Sequence, residues 1–227
     1  MAEKCDYKKN TFPICEFIGS MFLVIAAISP IILIHHVMGY DIAVAVIADA
    51  IAVGFVLFAL IEIFGPICTA YFNPAVSFAM ALNKDLSWFR CIKYCFAQIL
   101  GGISGIILAH LMFYDKIPII LTISDVSRSG GSYLAEILGT FILVLCIFSL
   151  VHQKSEKISL VVGLLVAGML LSTSSTMFAN PQVAIARIFT YSAAGISILD
   201  GFVFIIMQFI GAVIALFVWK KVIKKCG

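Results

Sequence analysis

Long stretches without a charged side chain constrain this chain more than any other feature. Phe17 to Tyr40 contains no Asp, Glu, Lys or Arg, and the same holds for Tyr94 to Tyr114, Ile137 to Gln153, Ile158 to Ala186 and Gly201 to Trp219. A helix crosses the hydrocarbon core with about 20 apolar residues, so each window is a candidate span. Ile42 to Ile61 joins them, interrupted by Asp49 and closed by Glu62. Hydrophobic residues make up 63% of the 227 residues and charged residues 12%, whereas a soluble domain is about half apolar and a quarter charged. The composition predicts an integral membrane protein and excludes soluble enzymes, nucleic-acid binders and disulfide-stapled secreted domains. Alternating apolar and polar runs are scarce, which argues against a barrel, and the 16 glycines suit closely packed helices.

Six full spans result, with two apolar pieces left over, Asn73 to Asn83 and Asn180 to Tyr191, each too short to cross. Short cytoplasmic loops carry the positive excess. The N-terminus, the loop after span two, the loop after span four and the tail hold 12 of the 15 lysines and arginines, leaving Lys116, Arg128 and Arg187 on the other side. Both termini are therefore expected in the cytoplasm of a multi-pass protein of the cell membrane. No small-residue cleavage site follows the first apolar run, which reads as a retained span. The 7 cysteines (Cys5, Cys15, Cys68, Cys91, Cys95, Cys146 and Cys226) form no C-x-x-C pair, and buried free thiols are expected, with no metal and no cofactor.

An internal repeat organises the chain. Glu16-Phe-Ile-Gly-Ser20 is matched by Glu136-Ile-Leu-Gly-Thr140, Asn73-Pro-Ala-Val76 by Asn180-Pro-Gln-Val183, and Ala97-Gln-Ile-Leu-Gly101 by Met207-Gln-Phe-Ile-Gly211. The three matches keep one order, giving repeats of about 12–114 and 132–225 within a single transmembrane domain, 1–227. Each repeat holds three spans, so the second is inverted relative to the first, an arrangement that places a site at the midplane on broken helices.

Asparagine is a good N-cap, and proline is favoured at the first helical position, where its missing N–H would have no partner. Asn73-Pro74 and Asn180-Pro181 therefore each start a helix. About ten residues at 1.5 Å rise give roughly 15 Å, so two such pieces entering from opposite faces meet near the centre of a core about 30 Å thick. Their N-termini bring positive partial charge together at the midplane, which orients the oxygen of a neutral solute and repels cations and protons. Asn73, Pro74 and Ala75 with Asn180, Pro181 and Gln182 are the expected midplane residues.

With these motifs the chain resembles the aquaporin and aquaglyceroporin superfamily, the major intrinsic proteins, over essentially its whole length. The resemblance implies an all-α membrane protein: a right-handed bundle of six transmembrane helices with two re-entrant half-helices, a pore in each protomer and a homotetramer. Most members carry arginine directly after the second Asn-Pro-Ala. Here that place is Val183, and the motif's alanine is Gln182. The family's spacing puts the other filter places at Val53, Gly168 and Met177, with Phe178 the alternative to Met177 one residue on; Val53, Gly168, Met177 and Val183 make a filter without charge, imidazole or aromatic ring. The string Ala179 to Arg187 and Gly65-Pro66 look like a prokaryotic branch associated with arsenic-resistance genes.

Arg187 follows Val183 by one helical turn, toward the outer mouth. It is either a displaced filter arginine or the partner of a carboxylate such as Asp49 or Asp41. Asp49, expensive in lipid, either lines the pore or pairs, while Glu62 belongs at the cytoplasmic rim. Glu16 and Glu136 read as braces for the loops that lead to the half-helices, because a buried carboxylate needs donors. His35 and His36 read as solvated. Small neutral solutes and the lipid bilayer are the expected partners, with no nucleic acid. The leading function is a passive channel for water and small uncharged solutes such as glycerol or a metalloid hydroxide like arsenite, and not an enzyme. The alternative is a secondary transporter coupled to protons through buried carboxylates.

Overall fold

In the computed structural model, which describes residues 11–223, every regular element among the described residues is helical. The order is α1 (Thr11–Ile31), α2 (Ile42–Phe64), α3 (Pro74–Asn83), α4 (Trp88–Met112), α5 (Gly130–His152), α6 (Ile158–Ser172), α7 (Pro181–Arg187) and α8 (Ile198–Val218). α1 and α8 each run on into a π-helical turn, Ile32–Val37 and Trp219–Ile223. In α1 the wide turn follows Pro30, which lies inside the helix and supplies no backbone donor. Cys5, Cys226 and the terminal lysines Lys4, Lys8, Lys9, Lys224 and Lys225 lie outside the described residues, and the five described cysteines are free.

Five helices among the described residues are long and apolar enough to cross a membrane, those built on α1, α2, α4, α5 and α8. The expected fifth span, Ile158 to Ala186, is corrected: α6 stops at Ser172 after 15 residues. The Ser-Thr-Ser-Ser-Thr run ends it. Ser172 Oγ donates to the Gly168 carbonyl at 2.7 Å and Thr173 Oγ1 to that of Met169 at 2.8 Å, while Thr173 turns extended and its hydroxyl accepts from Met177 N–H at 2.9 Å. Side chains that bond their own backbone compete with the helix ladder. Hydropathy counting is blind to this because no residue in the run is charged.

Glycines set the closest crossings. A Cβ on Gly101 of α4 would strike the Phe17 carbonyl of α1, and one on Gly211 of α8 would strike the Ile137 carbonyl of α5, the same contact at matched motif positions. α2 and α6 meet at Gly54 and Gly163, where a Cβ on either residue would come within 2.9 Å of the other's carbonyl oxygen. Backbones this close gain van der Waals contact, which substitutes in lipid for the missing hydrophobic drive between helices. Outward-facing Phe55, Phe89, Phe96 and Leu199 are more than half exposed. They suit a surface bathed in acyl chains. α3 packs on α4 and α8, and α7 on α4 and α8, so both short helices are held inside the bundle.

Candidate functional site

Both short helices begin as the Asn-Pro signals require. Asn73 is extended (φ −155°, ψ 116°), with Oδ1 accepting from Ala75 N–H at 2.9 Å and Val76 N–H at 3.4 Å. Asn180 matches it (φ −154°, ψ 109°) and accepts from Gln182 N–H at 3.2 Å. The two caps also join each other's loops: Asn73 Nδ2 donates to the Ala179 carbonyl and Asn180 Nδ2 to the Phe72 carbonyl, both at 2.8 Å. The helices thus meet N-terminus to N-terminus at the asparagines. α7 is 7 residues long, shorter than the ten or so expected, so its own C-terminal end lies only about 10 Å from its start and offsets more of its dipole.

The loops ahead of both caps are backbone-strained. Ala70 and Phe72 before Asn73, and Thr176, Met177 and Ala179 before Asn180, all have positive φ, a conformation that costs a non-glycine residue about 1–2 kcal/mol. Two carboxylates hold them there. Glu16 accepts from Tyr71 N–H (2.9 Å), Phe72 N–H (2.7 Å), Thr69 Oγ1 (3.2 Å) and Gln98 Nε2 (2.8 Å). Glu136 accepts from Phe178 N–H (2.9 Å), Ala179 N–H (2.8 Å) and Gln208 Nε2 (2.6 Å). Gln98 and Gln208, repeat partners, thus fill the same role on α4 and α8.

A cavity of about 460 Å³ runs through the bundle. It begins at Glu62, Ser155 and Glu156, at the end where α2 stops and α6 starts, and there Ser159 donates to Glu62. It then passes Asn73 and Asn180 and reaches Val53, Met177, Val183 and Arg187. Four of the six residues assigned to the midplane do not line it. Pro74 and Pro181 form the first helical turns and Ala75 is fully buried. Gln182, whose amide the sequence allowed either near the solute path or behind the half-helix, takes the second place: it lies behind α7 against α4, where a Cβ on Gly102 would collide with its Oε1, and neither amide atom has a partner. Gly102 supplies the space that the larger side chain needs.

Gly168 is corrected as well. Val162, Val166 and Leu170 line the cavity at four-residue spacing, and Gly168 sits two residues, about 200°, from Val166 and Leu170, on the outward face with open space around it. Val166 and Leu170, on either side of Gly168 in sequence, are the α6 residues that line the cavity there. An aromatic ring joins the lining here, because Phe178 faces the cavity beside Met177.

Arg187 faces the cavity and at the same time pairs with a carboxylate. It lines the cavity, is 3% exposed, and its Nη2 stands 3.6 Å from Asp49 Oδ2. Its Nη2 donates to the Ala27 carbonyl at 2.8 Å and its Nη1 to Ala194 at 3.4 Å, with the guanidinium carbon 4.3 Å from the centre of the Phe178 ring. Asp49 is buried and absent from the lining, so it is the partner of Arg187. Asp41 instead caps α2 by accepting from Ala43 N–H at 2.8 Å. His35 bonds the Tyr40 carbonyl and exposed His36 accepts from Ala193 N–H at 3.0 Å. No group of three or more His, Cys, Asp or Glu among the described residues is arranged to hold a metal.

Sequence reasoning missed Leu170 and Arg128, and offered Phe178 as the one-residue alternative to Met177; Phe178 and Met177 both line the cavity. No signal marked Leu170, because α6 is apolar on every face and other rows of it repeat at the same four-residue spacing. Arg128 gave none, since it lies in the non-helical 113–129 connection. That connection docks through Ser124 N–H to the Ile188 carbonyl (2.8 Å) and through Ser197 N–H to the Val126 carbonyl (2.7 Å). Burial pushes the Arg128 guanidinium down to about 10, and the like charge of Arg187 acts in the same direction.

Two helix-capping asparagines that face one cavity through inverted loops find their counterpart in a known family. The major intrinsic protein family model matches residues 2–219. This chain belongs to that family. It is 39% identical over 204 residues to the aquaglyceroporin AqpS of Rhizobium meliloti (strain 1021), covering 89% of this chain and 86% of that protein. It is 30% identical over 186 residues to a glycerol uptake facilitator protein of Streptococcus pneumoniae serotype 4, covering 71% and 74%. Its fold superposes on the aquaglyceroporin from Plasmodium falciparum with a TM-score of 0.74 at 21% identity, covering 93% of this chain and 95% of the other. The family's usual arginine after the second motif is Val183 here.

Proposed function

We propose that the chain is a passive membrane channel for water and small uncharged solutes, glycerol and metalloid hydroxides among them, that performs no chemistry and needs no cofactor. One observation carries this reading: Asn73 and Asn180 cap two opposed helices and line one cavity while each bonds the other's loop. Each amide spends one N–H across the junction and keeps a second for a passing oxygen. Around it the wall is apolar, with Leu23, Val53, Leu57, Leu143 and Val166, so a solute trades its hydrogen bonds only at a few fixed places. The relatives named for glycerol support that solute.

The repeats 12–114 and 132–225 act together as one channel unit in this proposal. The family's homotetramer, a cell-membrane location and termini in the cytoplasm complete it, the last on the lysine and arginine distribution. A proton-coupled transporter would need a titrating carboxylate on the lumen at the midplane. Glu16 and Glu136 are absent from the lining and have their oxygens committed to loop donors. The test is stopped-flow light scattering of proteoliposomes under water, glycerol and arsenite gradients, with and without a proton gradient. Swelling in water and glycerol that ignores the proton gradient is expected. Flux that follows the proton gradient would replace the channel with the transporter.

A further inference from the structure

Phe178 is covered by two guanidiniums. Arg187 stands over it from α7, 4.3 Å from ring centre to guanidinium carbon, and Arg128 from the α4–α5 connection at 5.4 Å. Arg128 is itself fixed: its backbone N–H donates to Asp200 Oδ2 at 2.8 Å and its Nη2 to the Gly195 carbonyl at 3.0 Å. Phe178 is gripped on further sides, by Glu136 through its N–H and by the Phe204 ring, edge-on at 5.2 Å. Phe178 and Arg187 both line the cavity, with Val53, Met177 and Val183 beside them, whereas Arg128 is not in the lining.

We infer that Arg128 is a positioning residue for the outer constriction: it pins Phe178 against Arg187 and thereby sets the largest neutral solute that passes. The inference rests on the channel reading and deepens it. Beside Val53, Leu170, Met177 and Val183 the ring is the largest uncharged side chain in that part of the lining, and Arg187 is tied to Asp49, so the ring's freedom to swing governs the aperture. Two cations flanking one ring have a physical reason to stay, since each is attracted to its π-face and this attraction grows where water is excluded. The pair repels itself, and Asp49 beside Arg187 and Asp200 beside Arg128 offset that repulsion. A merely structural Arg128 would tie the connection to the Gly195 and Asp200 segment and leave permeation by size untouched.

The test measures the erythritol-to-glycerol permeability ratio in proteoliposomes for the parent, Arg128→Gln, Arg128→Lys, Phe178→Leu and the Arg128→Gln/Phe178→Leu double variant. Losing the stack frees the ring, and the ratio in Arg128→Gln is expected to rise about threefold or more, with Arg128→Lys between it and the parent because a lysine keeps part of the cation–π attraction. Phe178→Leu should raise it as far, and the double variant no further than Phe178→Leu alone. An Arg128→Gln chain that folds and keeps the parental ratio, or a double variant whose effects multiply, would overturn the inference. Melting temperatures of the same four variants in detergent separate this from the channel reading. Parent proteoliposomes that pass neither polyol would refute the channel, while sub-additive melting shifts would still support the Arg128–Phe178 coupling and additive shifts would refute it.

Discussion

Glu136 gathers two backbone N–H groups and the Gln208 amide while fully buried, and the residues it holds include one at positive φ, Ala179. A buried donor deprived of its acceptor costs about 1–3 kcal/mol, more when the lost partner is charged. Glu136→Gln keeps one acceptor oxygen but points an NH₂ at donors, so at least one backbone N–H is orphaned. A loss of about 3 kcal/mol is expected, visible as a lower melting temperature in detergent and reduced folded yield. Glu16→Gln, at the repeat-equivalent position with four donors, should behave alike. An unchanged melting curve in both would show that the loops hold their strained backbone without the carboxylates.

Helix against helix, the second motif's departure from the family is compensated at a single crossing. Gln182 lies on Gly102, and the repeat-equivalent positions are Ala75 and Ala212, both fully buried. Adding one methyl at Gly102 forces it into the Gln182 side chain, and overpacking of this kind costs about 1–3 kcal/mol. Gly102→Ala is therefore expected to lower the melting temperature, and Gln182→Ala in the same chain to restore most of it, because the collision is with a removable side-chain amide. A double variant no more stable than Gly102→Ala alone would mean that the Gln182 carbonyl, 3.2 Å from such a Cβ, is the real obstacle.

Across the whole molecule, charge at the Arg187 end of the cavity is balanced by elements far apart in sequence. Arg187 of α7 is paired with Asp49 of α2 and held by carbonyls at Ala27 and Ala194. Removing the arginine alone would leave a buried carboxylate unpaired, a penalty of about 3–5 kcal/mol that would confuse any transport result. Arg187→Ala is therefore best made with Asp49→Asn. With the short α7 contributing a reduced dipole, this double variant is expected to leak monovalent cations in a liposome conductance assay while water flux persists. Val183→Arg, which returns a cation to the family's usual place, should reduce glycerol flux relative to water. Conductance equal to the parent's in the double variant would assign cation exclusion to the midplane helices instead.

Several features are legible in the amino-acid sequence by itself because each depends on residues close together in the chain. Charge-free windows mark spans through their own transfer free energy, Asn-Pro marks a helix start through local capping, and Glu16 with Glu136 announces two loop braces through the repeat. The lumenal face of α6, the direction of Gln182 and the grouping of Arg128, Phe178 and Arg187 are not legible there. Counting back from Asn180 to Gly168 crosses residues 173–180, which are not helical; extended residues rise about 3.3 Å each and helical ones about 1.5 Å, so a fixed offset loses both depth and rotation. Arg128 lies 50 positions from Phe178, Asp49 lies 138 from Arg187, and Gln182 lies 80 from Gly102. Local physics determined where the short helices begin and located the five long spans, though hydropathy alone overran the end of α6. Only the packed bundle decided which side chains meet around Phe178, because those contacts join the 113–129 connection, the segment before α7 and α7 itself, which are brought together only by the helices they link.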